Sequence, residues 1–188
     1  MAEEKELLAD FLRELRQAFE KPDTFALREL GNKAIEEAAL RNSKAIASIA
    51  LVAYCLHKLH SKQHIARHKK WFSLSREIGL FLGKAADALQ KDDLAAFEQN
   101  MQKVISGVQS IDLQLGNYVE SIFEKARVKY ASTAYSLGLG LGQSCDLTGA
   151  SKKELLRYIG STRMADREAV TFGIKERLQR LRKRMQAE

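Results

Sequence analysis

The four histidines of the chain fall in one short segment, at positions 57, 60, 64 and 68. That segment reads His57-Lys58-Leu59-His60-Ser61-Lys62-Gln63-His64-Ile65-Ala66-Arg67-His68-Lys69-Lys70-Trp71-Phe72 and contains no acid. Lysine and arginine neutralise phosphates and release counterions. Histidine and tryptophan rings can stack on unpaired bases. The combination points to a nucleic acid, with RNA slightly ahead of DNA. On this reading Lys58, Lys62, Arg67, Lys69 and Lys70 contact phosphates, while His60, His64 and Trp71 stack or hydrogen-bond. If one helix runs through the segment, the four histidines step by three, four and four and share a face. Histidines at i and i+4 can also chelate zinc. Metal-bound histidines usually lean on carboxylates, and neighbouring cations oppose another cation, so no metal site is expected. The plain alternative is a solvated helix end with an incidental run of bases.

A second basic stretch lies near the C-terminus. Six of the ten residues from Lys175 to Arg184 are basic and one is acidic. Arg177, Arg180, Arg182, Lys183 and Arg184 would add electrostatic affinity for a polyanion, an anionic membrane surface or an acidic partner. Cations near a helix C-terminus also complement its dipole, which is the structural alternative. Ile174, Leu178, Leu181 and Met185 form a narrow apolar stripe on the same helix, able to dock on a bundle or pair with a second copy. A homo-oligomer through this helix, or an adaptor that docks an acidic protein, is therefore the rival to nucleic-acid binding.

The charge is unevenly spread. Residues 38–76 hold eight bases and no acid, and residues 152–188 hold eleven bases and five acids. The remaining segments are net acidic, although the whole chain carries +7. A strongly divided charge of this kind suggests an anionic partner.

The elements that must position these residues are helices. Leu8, Phe11, Leu12, Leu15, Ala18 and Phe19 line one face of a first helix, which Pro22 interrupts. Asp23 or Thr24 can cap a second helix with Leu27, Leu30, Ala34, Ile35 and Ala38 inward. The stretch Ala45 to Leu56 is apolar nearly all round and, being shorter than the ~20 residues of a membrane span, reads as a buried core helix. A fourth helix is expected from about Phe72 to Gln90, and Asp92 or Asp93 caps a fifth. Periodic apolar residues continue from Leu115 to Ala134. The run Leu137-Gly138-Leu139-Gly140-Leu141-Gly142 reads as a frayed helix end or a close backbone approach. Ser151-Lys152-Lys153-Glu154 matches a capping box for a short helix.

With 188 residues, 45% hydrophobic, the chain suits one domain with a packed core. The fold expected is all-α: an antiparallel helical bundle over 1–136 and a short basic helical module over 137–188. No secretory signal is read from the acidic start, and no membrane span is expected, so the expected location is cytoplasmic. Cys55 and Cys145 form no CxxC pair and read as reduced thiols.

Within the module, Cys145, Gly149 and Leu155 fill the small, turn-glycine and apolar-anchor places of a helix-turn-helix, with Lys152, Lys153 and Arg157 outward. A small helical cap on the bundle is the alternative. The pattern Leu147-x-Gly149-x-Ser151-x-x-Glu154-Leu155-x-x-Tyr158-x-Gly160-x-Thr162 resembles uncharacterised archaeal all-helical proteins. A fainter likeness runs through Ala34-Ile35-Glu36-Glu37-Ala38-Ala39 into Leu51-x-x-Tyr54-x-Leu56-x-Lys58. The resemblance covers about a third of the chain and implies a helical fold and an archaeal cytosolic origin, with no activity attached.

Catalytic signatures are missing from the sequence. There is no GK[ST] phosphate loop, no G-x-S-x-G elbow and no HExxH. The pairs Asp92-Asp93 and Glu36-Glu37 are adjacent, and adjacent helical residues point apart. Small helical ribonucleases place an arginine four to six residues before a histidine, and no histidine here has one. The expectation is a non-catalytic protein without cofactor.

Overall fold

The apolar stretch that begins at Ala45 can be buried only by helices on several sides, and that is how it sits. A computed structural model describes residues 2–62, 69–115 and 118–161. Among these are eight helices packed antiparallel and no strand. They are α1 (Ala2–Glu20), α2 (Thr24–Arg41), α3 (Lys44–His60), α4 (Lys69–Gln90), α5 (Leu94–Leu115), α6 (Tyr118–Ser136), α7 (Leu141–Thr148) and α8 (Lys152–Ser161). None of them is long and apolar enough to cross a membrane. Helix α3 touches α1, α2, α5, α6 and α7 and is the hub of the bundle.

Local chemistry sets the helix boundaries. Asp23 caps α2 by accepting the Ala26 amide at 2.9 Å, and Ser43 caps α3 by accepting the Ile46 amide at 3.3 Å. Asn42 takes a left-handed conformation between these two helices, which lets the chain reverse in two residues. Of the two candidate caps before α5, Asp93 does the capping, accepting from the Ala96 amide at 2.8 Å. Asp92 is the left-handed residue of that turn.

The leucine–glycine run is a connection over 137–140, and its last two residues open α7. Gly138 has φ of 103°, a conformation that suits glycine, and Gly140 begins α7. Its leucines are divided between two apolar clusters. Leu137 and Leu139 pack on the main core, and Leu141 packs on a second cluster made by Val128, Ala131, Cys145, Ala150 and Leu155. Helix α6 feeds both, so the C-terminal module shares that helix with the bundle.

Among the described glycines, the closest approach lies between α2 and α6. Gly31 faces the hydroxyl of Tyr130, whose side chain is 1% exposed. A Cβ at Gly31 would overlap that hydroxyl, and the rigid ring has no free space to retreat into. Gly31→Ala is therefore expected to destabilise the protein by about 1–3 kcal/mol, against the roughly 1 kcal/mol that alanine contributes to helix propensity. Urea denaturation checks this. Adding Tyr130→Phe should recover part of the loss, and a midpoint at or above the wild-type value for Gly31→Ala alone would show that the ring moves freely.

Candidate nucleic-acid interface

The last turn of α3 is where the apolar hub reaches the surface, and it carries His57, Lys58 and His60. The helix ends there, with Ser61 as its cap, so α3 itself holds His57 and His60 and does not run on through the segment; His68 lies outside the described residues. His64, Arg67, Arg177, Arg180, Arg182, Lys183 and Arg184 lie outside the described residues, as does the stripe proposed for self-association. Lys69 begins α4, and Lys70 is exposed in its first turn.

Trp71 corrects a sequence expectation. It is not the aromatic end of a surface segment but a core residue of α4, 8% exposed. Its ring meets His60 edge-on at 5.2 Å and Phe19 edge-on at 6.3 Å, and His60 meets Phe19 at 5.3 Å. These rings join the ends of α1, α3 and α4. A ring held in this way has no open face for a base, so Trp71 is unsuited to stacking. His60 is half-buried in the same cluster, and its Nε2 is buried without a hydrogen-bond partner. Burial pushes its pKa down, which keeps it neutral and apolar in character.

A different group gathers around Tyr54. Lys58 from α3 lies 5.5 Å from the Tyr54 ring centre, and Lys129 from α6 lies 4.9 Å from it. Lys129 also lies 5.3 Å from the Tyr130 ring. Arg28 of α2 is close enough to act on both His57 and Lys129. His57 donates from Nδ1 to the Thr24 carbonyl at 2.8 Å, tying the end of α3 to the start of α2. Arg28 reaches the carboxylate of its chain neighbour Glu29 at 3.3 Å, whereas Lys58 and Lys129 form no ion pair among the described residues. Burial, and then the charges of Lys58 and Arg28, push the Lys129 pKa down. Among the described residues, three cations and a histidine therefore act on one another here, and of the three cations Arg28 is the one with an ion pair. An anion placed there would relieve the repulsion.

Sequence reading found Lys58 but missed Arg28 and Lys129, which sit in segments that are net acidic overall. Only the packing of α2, α3 and α6 brings them together.

Elsewhere the chemistry is muted. Cys55 and Cys145 are buried, and burial pushes both thiols up, away from the thiolate. No group of three potential metal ligands occurs among the described residues. An open groove of about 490 Å³ between α1 and α2 has charges of both signs, Glu14, Asp23 and Glu29 with Lys21 and Lys33. No family model, curated protein or solved structure matches the chain.

The two described histidines give a pH dependence of defined sign. Burial is the leading cause that lowers both, so the unfolded chain takes up protons at an ordinary value near 6.5 while the folded protein does not. Their contribution to stability is intact above about pH 6.5 and is lost as the pH falls toward the folded values. The melting temperature is expected to hold above pH 7 and to fall between about pH 6.5 and 5, before most carboxylates titrate. A His57→Gln/His60→Phe variant should show a shallower fall. Equal slopes would assign the acid sensitivity to other groups.

Proposed function

We propose that this chain is a non-catalytic nucleic-acid-binding protein that grips the phosphate backbone. The observation that carries the reading is the approach of Lys58 and Lys129 to the Tyr54 ring, with Arg28 close enough to act on Lys129 and itself paired with Glu29. Phosphates fit such a patch because each one neutralises cations that otherwise repel one another, and binding releases the counterions of the nucleic acid. Lys62 and Lys70 stand on either side of the junction between α3 and α4. The expectation of RNA over DNA rests on stacking by His60, His64 and Trp71. His60 and Trp71 are engaged with Phe19 and His64 lies outside the described residues, so backbone contact carries the reading, and backbone contact alone does not distinguish the two polymers.

The test is a titration of nuclease-treated, full-length protein into labelled single-stranded RNA, single-stranded DNA and duplex DNA from about 50 to 200 mM salt. Affinity should fall steeply with salt. For duplex DNA, Arg28→Gln/Lys58→Gln should weaken binding and flatten the plot of log K against log salt by about two units, roughly 0.9 for each phosphate that is no longer neutralised. An unchanged slope removes these residues from the interface. Absence of binding to every polymer at 50 mM salt overturns the reading and turns the cationic face toward an acidic protein partner.

A further inference from the structure

We infer that α7, the Gly149 turn and α8 form a helix-turn-helix that presents α8 to the major groove of duplex DNA. This deepens the nucleic-acid reading and rests on it.

The geometry of the unit comes first. Helix α7 ends at Thr148, Gly149 turns the chain with φ of 74°, and α8 starts at Lys152. Ser144, Cys145 and Thr148 of α7, Ala150 of the turn and Leu155 of α8 are all buried, and Leu155 is 0% exposed. The two hydroxyls on that inner side are satisfied within α7. Ser144 donates to the Gly140 carbonyl at 3.0 Å and Thr148 to the Ser144 carbonyl at 2.9 Å. Helix α6 supplies the third wall with Val128 and Ala131. A turn of this length with a left-handed glycine, closed by a buried apolar residue six positions on, is what such a motif needs.

The outward face comes second. Helix α8 packs only on α6 and α7 among the described elements, so no other described helix stands beside it. Lys152, Lys153, Leu156, Arg157 and Gly160 are exposed, and a spacing of one, three, one and three places them on one side. At ten residues α8 is about 15 Å long, and its diameter of roughly 10–12 Å with side chains fits the ~12 Å width of the groove. Lys152 Nζ reaches to within 3.9 Å of the Cβ position of Gly142, placing its charge over α7, the helix that crosses the phosphate backbone in this docking mode. Lys153 lies in the first turn of α8, where side chains meet base edges. Arg157, one turn further on, has the fork that pairs with guanine O6 and N7. Leu156, 56% exposed between these cations, gains nothing from water and fits a thymine methyl. Glu154, the single acid of α8, is partly buried to the side of this row.

The test is repeated selection of full-length protein on a randomised duplex DNA library at about 100 mM salt, with wild type, Lys153→Gln/Arg157→Gln and Lys152→Gln side by side. Thermal melting confirms that these surface variants fold. Wild type should enrich a short motif. Lys153→Gln/Arg157→Gln should lose preference at one or two base positions, about tenfold to a hundredfold each. Lys152→Gln should weaken all sequences alike. A motif unchanged in Lys153→Gln/Arg157→Gln overturns the inference. Salt-sensitive binding that enriches no duplex motif, or that is confined to RNA, also overturns it while leaving the nucleic-acid reading standing. Failure to bind any nucleic acid at 50 mM salt overturns both.

Discussion

Helix α3 must be covered on nearly every side. Ile46, Ala47, Ile49, Ala50, Leu51, Val52, Ala53, Cys55, Leu56 and Leu59 are all buried, and a helix this apolar has no polar stripe to give to solvent. Its neighbours α1, α2, α5, α6 and α7 cover it, and the antiparallel bundle is the arrangement that results. The close fit of Tyr130 over Gly31 belongs to the same constraint. There α2 and α6 approach each other across the flank of α3, next to the Ala50 carbonyl.

The placement of charge follows from this burial. The hub turns polar in its last turn, so whatever surrounds that turn becomes the neighbourhood of His57 and Lys58. Helix α2 contributes Arg28 and α6 contributes Lys129. The result is a partly desolvated positive patch whose lysines lean on the Tyr54 and Tyr130 rings, while Arg28 lies over Phe25 and reaches Glu29. Ring faces attract a cation but do not neutralise it, so the patch keeps its charge for an external anion.

Helix α6 divides its surface between two tasks. Ile122, Phe123, Ala126, Tyr130 and Ala134 face the bundle, whereas Val128 and Ala131 support α7 and α8. Both clusters are fixed to one rigid element. The cationic patch around Lys58 and Lys129 and the outward face of α8 are therefore both anchored to α6.

Much of the fold was legible because helices are local objects. Apolar residues three and four apart located the faces. Asp23, Asp93 and Ser151 stood where helices begin, and Gly149 stood where one had to turn. The candidate site was legible only in part. A tryptophan after a run of lysines looks the same whether its ring meets a base or meets Phe19 and His60. Which of these happens depends on where α1 lies, far away in the chain. Arg28 and Lys129 were hidden for the same reason, since each lies far along the chain from the basic segment that holds Lys58 and meets it only in space. The helices, their caps, the hub and the division of charge could be read from the residues in order, because those features depend on neighbours a few positions away. Which rings are used up in the core, and which cations converge, was settled by packing, because burial and electrostatic repulsion depend on distance through space rather than position along the chain.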